Sequence, residues 1–486
     1  MKHLSQVWNA RLKEDLEAEA GFASEGQGCL SSYLWKYALP SGQLFLYNLL
    51  TGSIDLLSSE ETRVFRQIEA QPGPAAADES TFRKELAKRG HLRKDSKGEQ
   101  QTAQRLMDDL SQQAYQRPLM FFLCLTHACP IGCRHCFELD IPKNSQAEAM
   151  SPEKVSAAFD RMETIRRESG RGGNVINLFG GEPFLPSTLG SVRAALELAH
   201  RQGYRLTTFS SGVFLEPFLP LLKEHASSFD WFSITLDGSQ EFHNLRRRLP
   251  NAFQRTAANI DRLLDLGMPL ILRVNLDREN IDHLGQFVND FKQRGWIGRP
   301  NLRVQLSPVT DHHCVRTDQI VLDEASLVMK LETLRDHFPE ARTLLDRGCY
   351  FSLEFLAVSL GFRQPNSLDY APPGPRVHLC MSNNHSAFLF GADSLLYTCD
   401  EVVGNAKYAS GRYYPDYAWF PQSLWQDLMA PDVPKCRQCR FLFLCGGGCT
   451  LAAIARNGRP DLPDCPPVND LLTRYIHMHE NELMRM

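Results

Sequence analysis

Three cysteines stand close together in the segment ACPIGCRHCFEL, at positions Cys129, Cys133 and Cys136. Thiolates are soft ligands, and both zinc ions and iron–sulfur clusters accept them. A structural zinc site needs four ligands, and the loop would have to wrap back on itself for His127 or His135 to supply the fourth. A cubane cluster tolerates three protein ligands and keeps one iron open. The spacing therefore favours a [4Fe-4S] cluster with one open iron.

A second group of cysteines lies in the last quarter of the chain. Its members are Cys380, Cys399, Cys436, Cys439, Cys445, Cys449 and Cys465. The chain holds 14 cysteines and begins without a secretion signal, so metal or redox chemistry explains them better than disulfides. A zinc ribbon would use four of the second group and leave the others unexplained. The isolated residues Cys29, Cys124, Cys314 and Cys349 fit small buried hydrophobic positions.

Six apolar, β-rich segments lie between the two cysteine groups and alternate with helical patterns. The segments are residues 119–127, 174–180, 205–211, 231–238, 269–276 and 301–309. Most are continuously apolar, as expected of strands that are buried on both faces. The helical pattern at 151–170 opens with a Ser cap and closes at Gly170. Six β/α units predict a parallel sheet with right-handed crossovers, curved or closed into a partial barrel.

The residues suited to chemistry follow the ends of these predicted strands. The first cysteine group follows the first strand, GGEP (180–183) follows the second, SSG (210–212) follows the third, and TLDG (235–238) ends the fourth. Ligands of such sheets bind at the carboxyl ends of the strands. We therefore expect the four segments to meet at one mouth.

On these motifs the chain resembles the radical S-adenosylmethionine superfamily, which carries C-x3-C-x2-C after the first strand of a partial (β/α)6 barrel. The resemblance covers residues 115 to 320, approximately. It implies that Cys129, Cys133 and Cys136 hold a [4Fe-4S] cluster whose open iron is chelated by the amine and carboxylate of S-adenosylmethionine. The reduced cluster would then cleave this cofactor to methionine and a 5′-deoxyadenosyl radical, which takes hydrogen from an unactivated carbon.

The same resemblance implies a set of residues around the cofactor. They are His135, Gly180, Gly181, Glu182, Ser211, Thr235, Asp237 and Arg247. The two glycines allow close approach of the backbone, and Glu182 or neighbouring carbonyls would accept from the methionyl ammonium. Thr235 and Asp237 resemble an S-x-D-G motif in which Thr replaces Ser. Ser211 is either a further contact or a turn residue.

Arg247 aligns with the arginine that meets the methionyl carboxylate in this superfamily. The usual HD of that motif reads His243–Asn244 here, and Arg246 or Arg248 is an alternative for the same role. His135 replaces the common aromatic residue before the third cysteine. Its backbone would reach the adenine, and its imidazole still offers a flat face.

The cysteines near the carboxyl terminus resemble the SPASM extension of radical peptide and protein maturases. The resemblance assigns Cys436, Cys439, Cys445 and Cys465 to one auxiliary [4Fe-4S] cluster, and Cys380, Cys399 and Cys449 to another. Ser394 stands where a glycine is usual, and no fourth cysteine lies between Cys380 and Cys399. The inner cluster would therefore have an open iron, or else Cys349 would reach it from upstream.

The chain divides into four predicted regions. These are an N-terminal module (1–110), the radical SAM core (115–330), a bridging region (331–374) and a SPASM domain (375–486). The segment LFLYNLLTGSIDLLS predicts a hairpin that turns at Thr51–Gly52. With its helices, this α+β module weakly resembles PqqD-like leader-recognition domains, and a packing extension of the barrel is the alternative.

Composition and charge exclude several classes of partner. The 486 residues are 43% hydrophobic and 23% charged, with a net charge of −4. This balance offers no electrostatic reason to expect nucleic acid or an acidic membrane as a partner. No apolar run approaches the roughly 20 residues that a membrane helix needs. We expect a soluble, cytoplasmic protein.

Three functions fit these features, and we expect the first. It is the cross-linking of a ribosomally made peptide, through a thioether or a carbon–carbon bond, supported by a low-potential electron donor. The second is formation of formylglycine from Cys or Ser; against it, Phe179 stands where sulfatase maturases commonly place a polar residue. The third is a non-catalytic cluster or zinc protein. Asp400 and Glu401, beside Cys399, are either the catalytic base or exposed loop acids.

Overall fold

The computed structural model describes most of the chain. The described residues are 1–25, 28–70, 79–133, 135–136, 138, 149–309, 320–338, 353–362, 374–421 and 428–486. Within these ranges, no helix combines the length and the apolar character that crossing a bilayer requires. Cys314 and Cys349 lie outside the described residues.

The N-terminal region forms a small antiparallel sheet with helices. Its strands are β1 (Lys2–His3), β2 (Cys29–Leu30), β3 (Leu34–Ala38), β4 (Leu44–Asn48), β5 (Ile54–Leu57) and β6 (Leu92–Arg93). Its helices are α1 (Ala10–Glu19), α2 (Ser59–Ala70), α3 (Glu79–Lys88) and α4 (Ser96–Tyr115). The main sheet has the order β1-β5-β4-β3, while β2 pairs with β6. The hairpin predicted around Thr51–Gly52 is present as β4 and β5.

A buried carboxylate ties this region together. Asp55 of β5 accepts hydrogen bonds from Arg89 Nε at 2.9 Å, from His91 Nε2 at 2.6 Å and from His3 Nδ1 at 2.6 Å. Burial raises the pKa of Asp55, but His91 and Arg89 outweigh it and lower the pKa to about 2. The charged carboxylate therefore links β1 and β5 to the end of α3 and to the approach to β6.

Six parallel strands form the centre of the molecule, and each overlaps a segment predicted from the sequence. They are β7 (Met120–Cys124), β8 (Val175–Phe179), β9 (Arg205–Ser210), β10 (Phe229–Thr235), β11 (Leu270–Leu276) and β12 (Leu302–Pro308). They lie in the spatial order β12-β11-β10-β9-β8-β7. Among the described residues β12 pairs only with β11, so the sheet stays open. The predicted α/β fold with a partial barrel is confirmed.

Helices separate these strands. They are α5 (Pro152–Ser169), α6 (Leu189–Gln202), α7 (Leu219–Glu224), α8 (Gln240–Arg247), α9 (Ala252–Asp265) and α10 (Leu284–Gln293). Helix α5 begins after Ser151, whose side chain accepts from the Lys154 amide at 3.3 Å, and ends at Gly170 with φ 64°. These are the cap and the stop that the sequence predicts.

The central sheet continues into the cysteine-rich C-terminal region. Strand β13 (Ala387–Phe390) pairs in parallel with β7, and β14 (Leu395–Tyr397), β15 (Gly411–Arg412) and β16 (Ala418–Trp419) extend the sheet in antiparallel fashion. The helices that follow the barrel are α11 (Glu324–His337), α12 (Glu354–Ser359), α13 (Pro434–Arg437), α14 (Leu442–Cys445), α15 (Thr450–Asn457), α16 (Val468–Met478) and α17 (Glu480–Arg485). One ten-stranded sheet thus joins the barrel to the C-terminal region.

The N-terminal region packs against the barrel through a shared hydrophobic core. This core contains Phe45 and Tyr47 of β4 together with Phe121 of β7 and Tyr475 of α16. The Tyr47 ring stacks on Phe355 of α12, with the ring centroids 6.1 Å apart. The indole N–H of Trp35 donates to Asn469 of α16 at 3.0 Å. This packing holds β3 beside the C-terminal helices.

Candidate active site

The first cysteine group lies in the loop that follows β7. Burial raises the pKa of Cys129 above its usual range, and Glu182 and the thiols of Cys133 and Cys136 raise it further. Burial likewise raises the pKa of Cys136 to about 12. Three thiolates this close repel one another unless a cation lies between them, and metal binding releases their protons. The donor set therefore fits a metal cluster.

The GGEP segment docks directly on this loop. The amide of Gly181 donates to the Thr126 carbonyl at 2.8 Å, and the amide of Glu182 donates to the Ala128 carbonyl at 3.0 Å. A Cβ atom on Gly180 would lie 2.3 Å from the Thr126 oxygen, and one on Gly181 would lie 2.5 Å from the Ala128 oxygen. Both glycines are thus required by the close approach of the cysteine loop itself.

The carboxylate of Glu182 bridges two strand ends. It is 1% exposed. Its Oε1 accepts from the Phe184 amide at 3.2 Å and from Ser210 Oγ at 2.8 Å. Its Oε2 accepts from the Ser211 amide at 2.9 Å and from Ser211 Oγ. A carboxylate offers about four lone-pair sites, and the protein fills all of them. Glu182 would therefore have to give up one of these bonds to accept from a methionyl ammonium.

A buried ion pair connects the fourth strand to the cysteine loop. Arg247, in the last turn of α8, donates through Nη2 to Asp237 Oδ2 at 2.7 Å and through Nη1 to Cys133 Sγ at 3.1 Å. Burial alone would raise the pKa of Asp237, but Arg247 and Arg246 hold it well below its ordinary value. Arg246 also pairs with Asp277 at 2.6 Å. The structure thus places Arg247 on a cysteine of the cluster loop.

His135 contributes a buried imidazole to the same mouth. Its Nε2 lies 3.5 Å from Asn275 Nδ2, and its buried Nδ1 has no hydrogen-bond partner in the described part of the chain. Burial lowers the pKa of His135 to about 3, and Arg246 and Arg247 act in the same direction. Since Nε2 faces the Asn275 NH₂ group and accepts from it, the neutral ring carries its proton on Nδ1 and can donate to a ligand acceptor, such as a ring nitrogen of the adenine in the expected cofactor.

A buried cluster of possible metal ligands, which was not predicted from the sequence, flanks the cysteine loop. The side chains of Cys124, His127 and Glu138 offer ligand-type atoms that all lie within 4.8 Å of one another. The Cys124 sulfur lies 3.6 Å from His127 Nδ1, and Glu138 Oε1 lies 3.9 Å from that nitrogen. Burial lowers the pKa of His127, yet Cys124 and Glu138 raise it to about 11. The His127–Glu138 pair joins the two ends of the cysteine loop. In the sequence, the Cys-x2-His spacing of Cys124 and His127 was the one sign of this cluster.

Four C-terminal cysteines form one neighbouring set. Burial raises the pKa of Cys436 to about 12, with further increases from Cys445, Cys465 and Cys439. Burial also raises the pKa of Cys445 to about 11, together with Cys439 and Cys465. The charges of the four thiols act on one another, as expected of neighbouring side chains. They are the four residues predicted to share an auxiliary cluster.

The other three C-terminal cysteines form a second set beside two acids. Burial raises the pKa of Cys399 well above its usual value, and Asp400, Glu401 and Cys380 add to the shift. Burial raises the pKa of Cys449 to about 12, again with a contribution from Cys380. The Cys399 sulfur lies 4.0 Å from Asp400 Oδ1. Cys349, the alternative to an open iron at this cluster, lies outside the described residues.

Arg273 of β11 links this second set to the mouth of the barrel. Burial lowers its pKa, while the charges of Asp400, Asp237 and Glu401 oppose that shift. Its Nε donates to Asn275 at 3.0 Å, and its guanidinium lies 5.4 Å from the centre of the Phe209 ring. Asn275 in turn lies beside His135. Arg273 therefore lies between the acids that follow Cys399 and the residues around His135.

A comparison with family models identifies the domain that carries this mouth. Residues 123–291 match the model of the Radical SAM superfamily. The chain contains a radical SAM domain. This domain implies S-adenosylmethionine and a [4Fe-4S] cluster, and the three thiols and the free His135 nitrogen fit both groups. The protein is an enzyme of the radical SAM type.

Curated relatives of this radical SAM enzyme are identical to it at about a quarter of the aligned positions. It is 24% identical to a PqqA peptide cyclase of Ruegeria pomeroyi over 357 residues, which is 71% of this chain and 86% of the cyclase. It is 24% identical to an AdoMet-dependent heme synthase of Methanosarcina barkeri over 174 residues, 36% of this chain. The chain thus spans only 47% of the heme synthase but most of the cyclase.

Solved structures share the fold of this radical SAM enzyme. Streptococcus suis SuiB, bound to its precursor peptide SuiA, aligns with a TM-score of 0.53 and 13% identity over 91% of this chain and 99% of SuiB. The protein anSMEcpe, with bound AdoMet, aligns with a TM-score of 0.53 and 16% identity over 76% of this chain and 99% of its own. At these identities the likeness concerns the fold alone.

Proposed function

We propose that this radical SAM enzyme is a peptide maturase that installs a thioether or carbon–carbon cross-link in a ribosomally made peptide. The observation that carries the proposal is the inner C-terminal cysteine set, which lies beside Asp400 and Glu401 and is joined to the mouth through Arg273. A cross-link removes two hydrogens from the substrate, so an electron acceptor and a base are needed near the site of hydrogen abstraction. Auxiliary clusters and one of the two acids would meet these needs.

The residues of the mouth have distinct roles in this proposal. Cys129, Cys133 and Cys136 would hold the cluster, and the backbone near Gly181 and the ring of His135 would hold S-adenosylmethionine. When bound, this pair supplies a 5′-deoxyadenosyl radical that abstracts a hydrogen atom. Glu182 braces the strand ends around that space. Asp400 or Glu401 would take the proton that leaves when the substrate forms its new bond.

The N-terminal sheet offers a place for a leader peptide. Its β5 edge is already covered by the chain's own β1, while β3 pairs only with β4 among the described residues. In the β3–β4 ladder, Leu49 donates to the Tyr33 carbonyl and Leu39 donates to the Gln43 carbonyl. The alternate residues of β3, such as Lys36, therefore point their backbone N–H and C=O groups away from β4. An extended peptide can add to such an edge as a further strand.

Two comparisons support a peptide cross-linking role over formylglycine formation. One curated relative is named a PqqA peptide cyclase, and the match to SuiB, a protein solved with a precursor peptide, extends over more of this chain than the match to anSMEcpe. In addition, Phe179 packs edge-on against Phe122 with ring centroids 5.8 Å apart. This apolar contact fills the position at which a sulfatase maturase commonly carries a polar residue.

Anaerobic reconstitution tests the enzymatic part of the proposal. The full chain should bind about twelve irons and, after chemical reduction, release 5′-deoxyadenosine from S-adenosylmethionine. Cys133→Ala should abolish that release and retain about eight irons, while Cys29→Ser at an exposed position should change neither. A wild-type iron content of about four would rule out both auxiliary clusters.

The chemical structure of the modified peptide tests the proposed substrate and the type of bond formed. We expect co-expression with a short peptide encoded beside the gene to yield a peptide that has lost two hydrogens, kept its sulfur and resists linear fragmentation between two residues. A product aldehyde that reacts with hydrazine would instead indicate formylglycine. In either case, the release of 5′-deoxyadenosine is assayed separately from the peptide product.

A further inference from the structure

The guanidinium of Arg247 is fixed between a carboxylate and a cysteine sulfur. Its Nη2 donates to Asp237 at 2.7 Å and its Nη1 donates to Cys133 Sγ at 3.1 Å. Arg247 is 6% exposed and Asp237 is fully buried. A planar guanidinium with two nitrogens engaged in this way has little freedom to turn.

The backbone of the same residue also holds the cysteine loop. The Arg247 carbonyl accepts from the Gly132 amide at 3.2 Å. Helix α8 ends there, because Arg248 adopts a left-handed conformation with φ 49°. The Arg248 side chain then packs over Gly132, where an added Cβ would lie 3.2 Å from Arg248 Cδ. The end of α8 is therefore clamped to the middle of the loop that carries Cys133.

Asp237 is itself held in place from a neighbouring strand. Its Oδ1 accepts from the Asn275 amide of β11 at 3.1 Å, and its own amide donates to His243 Nδ1 at 3.2 Å. Arg246 Nε lies 3.6 Å from its Oδ2. The carboxylate therefore anchors Arg247 at a fixed distance from the sulfur.

We propose that Arg247, anchored by Asp237, is a positioning residue for Cys133 that sets the reduction potential of the cluster held by the first cysteine group. Reduction adds an electron to a cluster that already carries negative thiolates. A cationic donor at a ligand sulfur stabilises the added charge and raises the potential. This role differs from the contact with the methionyl carboxylate that the superfamily resemblance assigns to Arg247. It rests on the radical SAM domain and is independent of the proposed peptide substrate.

A redox titration followed by electron paramagnetic resonance tests the inference on the reconstituted full chain without S-adenosylmethionine. The signal of this cluster is identified beforehand as the one that changes when the cofactor is added. Arg247→Gln should make reduction at least tenfold less favourable, which corresponds to a downward shift of about 59 mV or more for one electron. The matched control Arg193→Gln removes the same charge on the exposed surface of α6 and should leave the potential unchanged.

Two further variants test the same inference if Arg247→Gln fails to bind the cluster. Arg247→Lys keeps the charge but gives up the planar fork, and it should lower the potential by less than Gln does. Asp237→Asn removes the opposing negative charge and should shift the potential upward. An unchanged potential in Arg247→Gln and Arg247→Lys, together with weaker binding of S-adenosylmethionine, would overturn the inference and leave the arginine as a ligand of the cofactor. Neither result depends on whether the enzyme cross-links a peptide.

Discussion

Replacing Glu182 with glutamine tests whether this residue braces the mouth of the barrel. The carboxylate accepts four hydrogen bonds from Phe184, Ser210 and Ser211. In glutamine, one oxygen becomes an NH₂ group that faces donors in either orientation of the amide. A serine hydroxyl can rotate and accept from this group, but a backbone N–H cannot. At least one buried backbone N–H, of Phe184 or of Ser211, therefore loses its acceptor.

The expected cost follows from that loss. A buried donor left without a partner, where it formerly bonded a charged group, costs about 1.5–3 kcal/mol. Burial raises the pKa of Glu182, so the substitution also removes a charge that is costly to bury, and the lower part of that range is the better expectation. Since 1.4 kcal/mol corresponds to a factor of ten, local opening should increase about 10- to 150-fold.

Hydrogen exchange measures this opening directly. In Glu182→Gln, peptides that contain Phe184 or Ser211 should exchange faster by that factor, and 5′-deoxyadenosine release should fall with them. Glu197→Gln makes the same change on the exposed surface of α6 and should alter neither readout. Wild-type exchange at both amides in Glu182→Gln would refute the bracing role.

Three other predictions follow from buried charge, close packing and the inner cysteine set. The pKa of Asp55 is about 2 in the folded protein, below its ordinary value of 3.8. The charged carboxylate therefore stabilises the fold by about 2.5 kcal/mol above pH 3.8, and this stabilisation is lost as the pH falls through 2. Asp55→Asn should lower stability at neutral pH and flatten its dependence between those values in thermal melts. In Gly181→Ala, the new Cβ would lie 2.5 Å from a carbonyl oxygen, so the variant should abolish iron binding by the first cysteine group. In the control Gly190→Ala, the nearest atom lies 3.7 Å from the new Cβ, so the variant should gain about 0.5–1 kcal/mol of stability. Cys449→Ala should remove about four irons and leave reductive release of 5′-deoxyadenosine intact.

The sequence predicted the six central strands because each carries its own local signal. Strands such as β8 and β11 are continuous apolar runs, and glycines such as Gly170 and Gly267 stop the helices between them. The pairing of β13 with β7 had no such signal. Strand β13 has four residues, and its partner lies more than 250 positions earlier, so only tertiary packing determines the pair. Residues 387–390 could not be read as part of the barrel sheet for that reason.

The convergence of the mouth motifs could also be predicted, because carboxyl ends of parallel strands meet at one edge. The hydrogen bonds within the mouth could not. Whether Arg247 turns towards a cofactor or towards Cys133 depends on how the end of α8 packs against Gly132. The four donors around Glu182 depend on the register of β8 against β9, and the contact of Glu138 with His127 depends on the path of the loop between them. These contacts depend on how helices, strands and loops are placed relative to one another, which the spacing of residues along the chain does not determine.

Several charged side chains of the mouth are bound by neighbouring groups of the protein. Glu182 has no lone pair to spare, Asp237 and Arg247 bind each other, and Arg246 is paired with Asp277. In the described part of the chain, the buried nitrogens of the mouth that lack a hydrogen-bond partner include His135 Nδ1, His243 Nε2, Arg246 Nη1 and Arg247 Nε. A cofactor entering this space would therefore meet these nitrogens as well as the open iron and backbone groups. Substitutions of the charged residues should act first on the shape of the mouth, so their effect on activity has to be separated from their effect on local stability before it is assigned to binding.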